Sequence, residues 1–176
     1  MRRSITGSLV AIIAASYLLQ LVIPGYEDRL LLNRALVENG QYYRLITVAL
    51  LHNQHNLFHL GFNLYALHAL GTPVENYFGK WKFSLILLVS LISGSLLSIY
   101  LNPANVYSIG ASGMIFGLFG SLALISQRVG VEWRSILVIV GLNFAIGFAI
   151  GGVDWRGHLG GLIGGTAITS VLHRTK

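Results

Sequence analysis

The sequence contains no cysteine, only three prolines and few charged side chains. The absence of cysteine excludes a fold held together by disulfides. The 176 residues include 12 Lys or Arg and 6 Asp or Glu, whereas a soluble domain carries roughly 25% charged residues. Because 54% of the residues are hydrophobic, intrinsic disorder is excluded as well. The length is that of a single domain.

The few charges are clustered, and long uncharged segments lie between the clusters. Five segments contain no Asp, Glu, Lys or Arg: 4–26, 45–74, 83–127, 135–153 and 157–173. An excess of Lys and Arg can indicate nucleic-acid binding, but here these residues lie in short loops and form no continuous basic stripe. The pattern predicts an all-α membrane protein that crosses the lipid bilayer several times and binds no nucleic acid.

The uncharged segments predict six membrane spans. A helix needs about 20 mostly apolar residues to cross ~30 Å of hydrocarbon. The segment 83–127 is too long for one helix, and Pro103 divides it because proline lacks a backbone donor and disfavours helix in the preceding residue. Within one domain of residues 1–176, the approximate spans are 8–23, 56–71, 82–101, 111–127, 135–150 and 157–173. A signal peptide is the alternative for the first span, but its apolar run is long for one.

The positions of Lys and Arg orient these spans. With the N-terminus in the cytoplasm, the inner segments carry eight Lys or Arg and the outer segments four, as the positive-inside rule requires. Both termini are therefore predicted to be cytoplasmic, and the compact chain suggests a bacterial plasma membrane. The segment 26–55 becomes a long external loop whose amphipathic pieces favour short helices in the membrane interface.

Polar side chains cluster near the outer ends of spans two, four and six. Polar groups inside a membrane are costly and usually functional. Here they are His52, His55, His59, Asn63, Ser112 and His158. Glycines spaced i, i+4 and i+7 follow Ser112 and surround His158, and such stripes let helices approach closely in lipid. A serine hydroxyl within hydrogen-bond reach of a histidine nitrogen can be activated as a nucleophile.

Four motifs make the sequence resemble the rhomboid family of intramembrane serine proteases. They are Tyr43-Arg44, where the family has a Trp-Arg pair, His59–Asn63 (HxxxN), Gly110–Gly113 (GxSG) and Gly157–Gly161 (GHxGG). GxSG alone is a weak signal, but the four motifs occur in the family's order and at its span positions. The resemblance implies a six-transmembrane-helix rhomboid-like bundle with a long external loop between helices 1 and 2.

The resemblance also implies roles for individual residues. Ser112 would be the nucleophile and His158 the general base of a Ser-His dyad, while His59, Asn63 and the Ser112 backbone N–H would stabilise the oxyanion. The candidates for structural support are Arg44, His52, His55, Glu75 and Phe116. Either His52 or His55 can be the structural histidine that the family places before HxxxN, and Phe116 stands where the family often has tyrosine.

The implied activity is that of a serine endopeptidase that cleaves transmembrane segments of other membrane proteins near their outer ends. It requires no metal and no cofactor, and the sequence defines no oligomeric state. Asp154, four residues before His158, either caps the last helix or orients the base, and the sequence favours the cap. We therefore expect Asp154→Asn to keep activity.

Three other functions compete with this interpretation. His55 and His59 have the i, i+4 spacing of zinc proteases, but the glutamate of the HExxH motif is missing. A polytopic transporter would accommodate intramembrane His and Asn, yet the six unlike spans contain no inverted repeat. A catalytically inactive rhomboid-like binding protein is the third alternative, although such relatives lack the serine or the histidine that this chain has.

Overall fold

A computed structural model describes residues 4–149 and 152–174, which are mostly helical. The long helices are α1 (Ile5–Val22), α5 (Leu57–Leu101), α6 (Ser112–Val129), α7 (Trp133–Ala149) and α8 (Trp155–Arg174). Shorter elements lie between α1 and α5: α2 (Tyr26–Leu30), β1 (Leu32–Asn33), α3 (Arg34–Glu38), α4 (Arg44–Thr47) and a 3₁₀ turn (Val48–Leu50). A second two-residue strand, β2 (Tyr107–Ser108), precedes α6.

Among the described residues, α1, α5 and α6 are long and apolar enough to cross a membrane, and α7 is a shorter apolar helix. The predicted spans 111–127 and 157–173 lie within two residues of α6 and α8 at each end. The predicted end of span five at residue 150 lies outside the described residues, as do the terminal residues 1–3 and 175–176.

The helix that contains the second predicted span continues past residue 71, the predicted end of that span. The α5 helix continues through Pro73 and changes direction only at Gly79, whose φ of 76° and ψ of 168° are not helical. Proline removes one backbone hydrogen bond from a helix, but Val74, Glu75 and Phe78 are buried on this turn. Burial of this face outweighs the lost bond, whereas Gly79 adopts a positive φ without steric cost.

The second half of α5 packs against α6 and α8 through glycines. A side chain on Gly161 would collide with the carbonyl oxygen of Gly113, and one on Gly165 with the backbone of Gly117. On the opposite side, a Cβ at Gly160 would lie only 2.5 Å from the carbonyl oxygen of Ser93 in α5. These contacts confirm the predicted glycine seam, in which helix backbones touch with almost no side chain between them.

The segment between α1 and α5 is held by backbone contacts and by Arg44. β1 pairs antiparallel with β2, with Leu32 opposite Ser108, so this segment is joined to the loop that precedes α6. Arg44 is 4% exposed and donates to the carbonyl oxygens of Asp28 (3.0 Å) and Leu31 (2.7 Å). Arg44 is thus buried within this segment and fixes its backbone through hydrogen bonds. The short helices that the sequence predicts for this segment are present.

Glu75 caps the start of α1. Its carboxylate accepts hydrogen bonds from the backbone N–H groups of Ile5 (2.8 Å) and Thr6 (2.9 Å) and from the hydroxyls of Ser4 and Thr6, both at 2.7 Å. The first N–H groups of a helix have no partner within the helix, so this carboxylate satisfies donors that would otherwise be costly in an apolar environment. The contacts are those of a structural residue.

Candidate active site

Ser112 and His158 are in direct contact. Ser112 is the first residue of α6 and His158 lies in the first turn of α8. His158 Nε2 is 2.8 Å from Ser112 Oγ, which is the separation required for a base to take the proton of a nucleophile. The two side chains reach each other because the backbone of Gly113, the residue after Ser112, is in contact with the backbone of Gly161.

The ring of His158 is held in place by aromatic packing. Phe116, one turn after Ser112, stacks on it with the ring centroids 4.1 Å apart and the planes 11° from parallel. Phe144 of α7 contacts the Phe116 ring edge to face at 5.4 Å. The stack fixes the plane of the imidazole through its aromatic face, for which phenylalanine and tyrosine are equivalent.

No described carboxylate is hydrogen-bonded to the base. His158 Nδ1 is buried and has no hydrogen-bond partner among residues 4–149 and 152–174. Asp154 Oδ1 instead accepts the backbone N–H of Gly157 at 3.0 Å, which is the predicted cap. Burial raises the pKa of Asp154, but the hydrogen bonds that it accepts together lower the pKa by a larger amount, so the net pKa lies below its ordinary value. The donors of these bonds are Ser98, Asn102, Gly157 and Ser108.

Gly110 brings His59 beside the nucleophile. Its φ of 125° is strained for any residue with a Cβ. A Cβ at Gly110 would also lie 3.0 Å from His59 Nε2 and 3.8 Å from Ser112 Oγ. The glycine of the GxSG motif therefore serves two purposes here: it permits the turn into α6 and leaves room for the His59 ring next to Ser112.

The hydrogen bonding of His59 determines which nitrogen carries its proton. The backbone N–H of Asn53 donates to His59 Nδ1 at 3.3 Å, so Nδ1 must be an acceptor. In a neutral imidazole the other nitrogen is then protonated. His59 consequently presents an Nε2–H donor toward the space beside Ser112, where a negatively charged oxygen could accept it.

Asn63 lies one turn after His59 on the same face of α5, as predicted. It is 7% exposed, and its side-chain nitrogen donates to the His59 carbonyl oxygen at 2.8 Å. An amide nitrogen carries two protons, so one remains for another acceptor. Among the described residues, the structure shows no hydrogen bond between Asn63 and Ser112 or His158.

Of the two candidate structural histidines, the structure places His52 next to His59. His52 is completely buried and its ring centroid is 5.0 Å from that of His59. Burial, with a smaller contribution from His59, lowers the pKa of His52 to about 3, so the ring is neutral at ordinary pH. His55 is exposed in the turn before α5, which makes His52 the residue with the supporting contact.

The sequence analysis missed Gln20 of α1, which holds the backbone of His52 from both sides. Gln20 Oε1 accepts the His52 N–H at 3.1 Å, and Gln20 Nε2 donates to the His52 carbonyl oxygen at 2.9 Å. The same nitrogen donates to Glu27 at 2.7 Å. A glutamine within an uncharged apolar segment was the available signal, because polar groups in such segments are costly unless they are paired.

A small cavity adjoins the nucleophile. Its volume is about 30 Å³, which is enough for about two water molecules. The residues that line it include Gly94, Ser98, Ser108, Ser112, Asp154 and His158. Hydroxyl and carboxylate groups thus share this cavity with Ser112 and His158 inside an otherwise apolar bundle.

The region around the site offers no cluster of metal ligands. Within the described ranges 4–149 and 152–174, no three His, Asp or Glu side chains converge as they would around a metal ion. His59, which lies beside Ser112, already accepts a backbone N–H on one nitrogen. The polar contact that the site does contain is that between the Ser112 hydroxyl and the His158 imidazole.

Comparison with known proteins identifies the family. Residues 39–175 match the Rhomboid domain. The chain is 40% identical over 136 residues to the rhomboid protease GluP of Bacillus subtilis, covering 74% of this chain and 26% of the relative. It is 32% identical over 152 residues to RHOMBOID-like protein 5 of Arabidopsis thaliana, covering 80% of this chain and 47% of the relative. It is 34% identical over 144 residues to Rhomboid-like protease 1 of Toxoplasma gondii, covering 76% of this chain and 48% of the relative.

The chain spans between about a quarter and half of the length of these relatives. With its apolar helices and its matched domain, the chain is an integral membrane protein that belongs to the rhomboid family.

Proposed function

We propose that this protein is an intramembrane serine endopeptidase with Ser112 as nucleophile and His158 as general base. The observation that carries the proposal is the 2.8 Å contact between Ser112 Oγ and His158 Nε2. A serine in a membrane helix ordinarily packs against a neighbour or bonds to its own helix, as Ser90 does with the carbonyl oxygen of Ile86. A bond to a buried imidazole on another helix is the arrangement that activates a hydroxyl.

The reaction proceeds in two transfers. His158 Nε2 takes the proton of Ser112 as Oγ attacks the peptide carbonyl, and returns it to the leaving amine as the peptide bond breaks. Water then donates a proton to His158 and attacks the ester on Ser112, and His158 returns that proton to Ser112 Oγ as the ester bond breaks, which releases the carboxyl product and regenerates the hydroxyl. The cavity beside Ser112 offers a place for that water.

The oxyanion of each tetrahedral intermediate requires hydrogen-bond donors. The backbone N–H of Ser112 lies in the first turn of α6, where N–H groups have no partner within the helix and the helix dipole is positive. His59 Nε2–H lies beside the nucleophile, and Asn63 has a spare amide proton. Removal of one such donor typically costs about 10²–10³ in rate.

We further propose that the chain forms six spans with both termini in the cytoplasm of a bacterium, which puts the site near the outer face of the plasma membrane. Water reaches the dyad from that side. The substrates are transmembrane segments of other proteins, and a helix in lipid keeps all its backbone groups bonded. Local unwinding must precede cleavage, so small or helix-breaking residues near the outer end of the segment favour it.

Cleavage in reconstituted vesicles tests this function. A membrane protein whose single transmembrane segment contains glycine and proline near its outer end is cut by the wild-type protein. Ser112→Ala and His158→Ala reduce cutting to background, whereas EDTA leaves it unchanged. Ser90→Ala is the matched control, since it removes a buried membrane serine that bonds only its own helix. Cleavage that survives Ser112→Ala, or that EDTA abolishes, contradicts the proposal, and no cleavage by a folded wild type favours an inactive binding protein.

A further inference from the structure

Asp154 connects three separate parts of the chain at the outer end of the bundle. Its Oδ2 accepts hydrogen bonds from the hydroxyls of Ser98 (2.5 Å) and Ser108 (2.8 Å). Its Oδ1 accepts the side-chain N–H of Asn102 (2.9 Å) and the backbone N–H of Gly157 (3.0 Å). A carboxylate offers about four acceptor positions, and all four are used here.

Helix capping explains only one of these four bonds. Gly157 belongs to α8, whereas Ser98 and Asn102 lie at the end of α5 and Ser108 lies in β2. Ser108 precedes the nucleophile by four residues, and Gly157 immediately precedes the base. The carboxylate therefore binds the segment that carries Ser112 and the segment that carries His158 to the same end of α5.

The contacts around Gly157 show how closely this carboxylate is packed. A Cβ at Gly157 would lie 2.9 Å from Asp154 Oδ2, so even alanine would displace the carboxylate from its partners. The carbonyl oxygen of Gly157 faces Gly94 of α5 and Gly113 of α6. The first glycine of the GHxGG motif is thus required by Asp154, and its carbonyl oxygen in turn leaves no room for a side chain at Gly94.

We propose that Asp154 is a positioning residue of the protease: it holds the segments of Ser112 and His158 in register through Ser98, Ser108 and Gly157. This inference rests on the proposed function. We assign this role to hydrogen-bond geometry, because the four donors to the carboxylate are all groups other than the imidazole of His158. A displacement of about 1 Å between reacting groups can cost on the order of 10²-fold in rate.

Asp154→Asn and Asp154→Ala separate geometry from charge. The asparagine oxygen can still accept from Asn102 and Gly157, and its NH₂ group can donate to the hydroxyls of Ser98 and Ser108, which rotate to accept. Asparagine therefore preserves the connection without the charge. Alanine removes all four bonds, and the backbone N–H of Gly157 loses its acceptor, while the hydroxyls of Ser98 and Ser108 keep the bond to each other at 2.9 Å.

Glu75 of α5, which caps the start of α1, provides a matched control. Glu75 also accepts four hydrogen bonds, but they fix the start of α1 and none involves the segments of Ser112 or His158. Glu75→Ala removes as many bonds as Asp154→Ala does. It should lower the thermal unfolding midpoint without slowing the chemistry of Ser112 in the folded protein.

The test measures the rate at which a fluorophosphonate probe labels Ser112, alongside the unfolding midpoint of each variant in detergent. We expect Asp154→Ala to label on the order of 10²-fold more slowly than wild type, while Asp154→Asn and Glu75→Ala keep most of the rate. Ser98→Ala and Ser108→Ala should each slow labelling less, and neither should slow it further in the Asp154→Ala background, because residues of one network are not additive. If Asp154→Ala does not fold, the two serine variants carry the test alone.

Three outcomes would overturn the inference. The inference requires folded Asp154→Ala to label more slowly than wild type, so equal labelling rates contradict it. Equal losses in Asp154→Asn and Asp154→Ala would assign the effect to charge and not to geometry. A wild-type labelling rate in both Ser98→Ala and Ser108→Ala would show that the hydrogen bonds of these serines to Asp154 do not position Ser112. A folded wild type that does not label at all would instead overturn the proposed function, on which this inference depends.

Discussion

The two halves of the candidate site are held by different kinds of contact. Ser112 and His158 are positioned by α6 and α8, whose backbones touch at glycines with almost no side chain between them. His59 is positioned by a hydrogen bond from the backbone N–H of Asn53 and by contact with the buried ring of His52, whose backbone Gln20 holds. The contact between Ser112 and His158 thus depends on close packing, whereas the position of His59 depends on hydrogen bonds and on contacts with distant segments.

This difference predicts how each half responds to mutation. Where two helix backbones are in direct contact, no flexible side chain lies between them that could move aside. A collision there can be relieved only by separating the helices. A hydrogen-bonded loop can shift or admit water, at the cost of its buried polar groups. We therefore expect an abrupt loss of activity from changes in the glycine seam and graded losses from changes around His52.

The largest effect is expected from Gly161→Val. The new side chain would collide with the carbonyl oxygen of Gly113, so α8 must move away from α6 and Ser112 must lose its contact with His158. Overpacking of this kind costs about 1–3 kcal/mol of stability or more. Cleavage and probe labelling should fall to background, and the unfolding midpoint should fall.

Gly141→Val of α7 is the control for this prediction. Nothing lies within 4 Å of a Cβ at Gly141, so the same substitution should leave activity near wild type. If both variants retain activity, the seam does not position the dyad. If both lose it, the loss reflects the general effect of valine in a membrane helix.

A smaller effect is expected from Gln20→Leu. It leaves the N–H and the carbonyl oxygen of His52 buried without their partner, and each such group costs about 1–3 kcal/mol. Activity should decrease without being abolished, and limited proteolysis should cut the segment between α1 and α5 faster. Gln127→Leu, on an exposed glutamine of α6, should change neither readout, and equal effects of the two variants would contradict the role of Gln20.

The smallest effect at ordinary pH is expected from protonation of His52. Its pKa in the folded protein is about 3, below the ordinary value of about 6.5, so the unfolded chain binds this proton first. The stability contributed by neutral His52 is therefore complete above about pH 6.5, and it decreases as the pH falls toward 3, by at most about 1.4 kcal/mol per unit.

The pH dependence of unfolding measures this contribution. His52→Phe should flatten the decrease in the free energy of unfolding between pH 6.5 and 4, while His55→Phe, at an exposed position, should leave it unchanged. A decrease of the same slope in wild type and His52→Phe would show that other groups cause it.

The sequence predicted the glycine-packed half of the site well. Glycine spacing repeats with the helical period, so the seam between α6 and α8 is visible in the sequence alone, as are the motifs that contain Ser112 and His158. The bounds of α6 and α8 follow from the same apolar periodicity. The cap formed by Asp154 also has a local signal, because it lies directly before the helix that it caps.

The hydrogen-bonded half was less predictable because its partners are far apart in the chain. Gln20 contacts His52 over 32 residues, and no periodicity relates them. Sequence alone left His52 and His55 as equal candidates, which only burial separates. The continuation of α5 past Pro73 was missed for the same reason, since it depends on buried contacts of Glu75 with the start of α1 that outweigh a local helix-breaking signal.

The most direct test of the account is to locate the fluorophosphonate adduct by mass spectrometry of the digested wild-type protein. We predict a single modified serine, Ser112, and no adduct in folded His158→Ala, because the hydroxyl is nucleophilic only through its contact with that imidazole. An adduct on another serine, or equal modification of Ser112 with and without His158, would contradict the account.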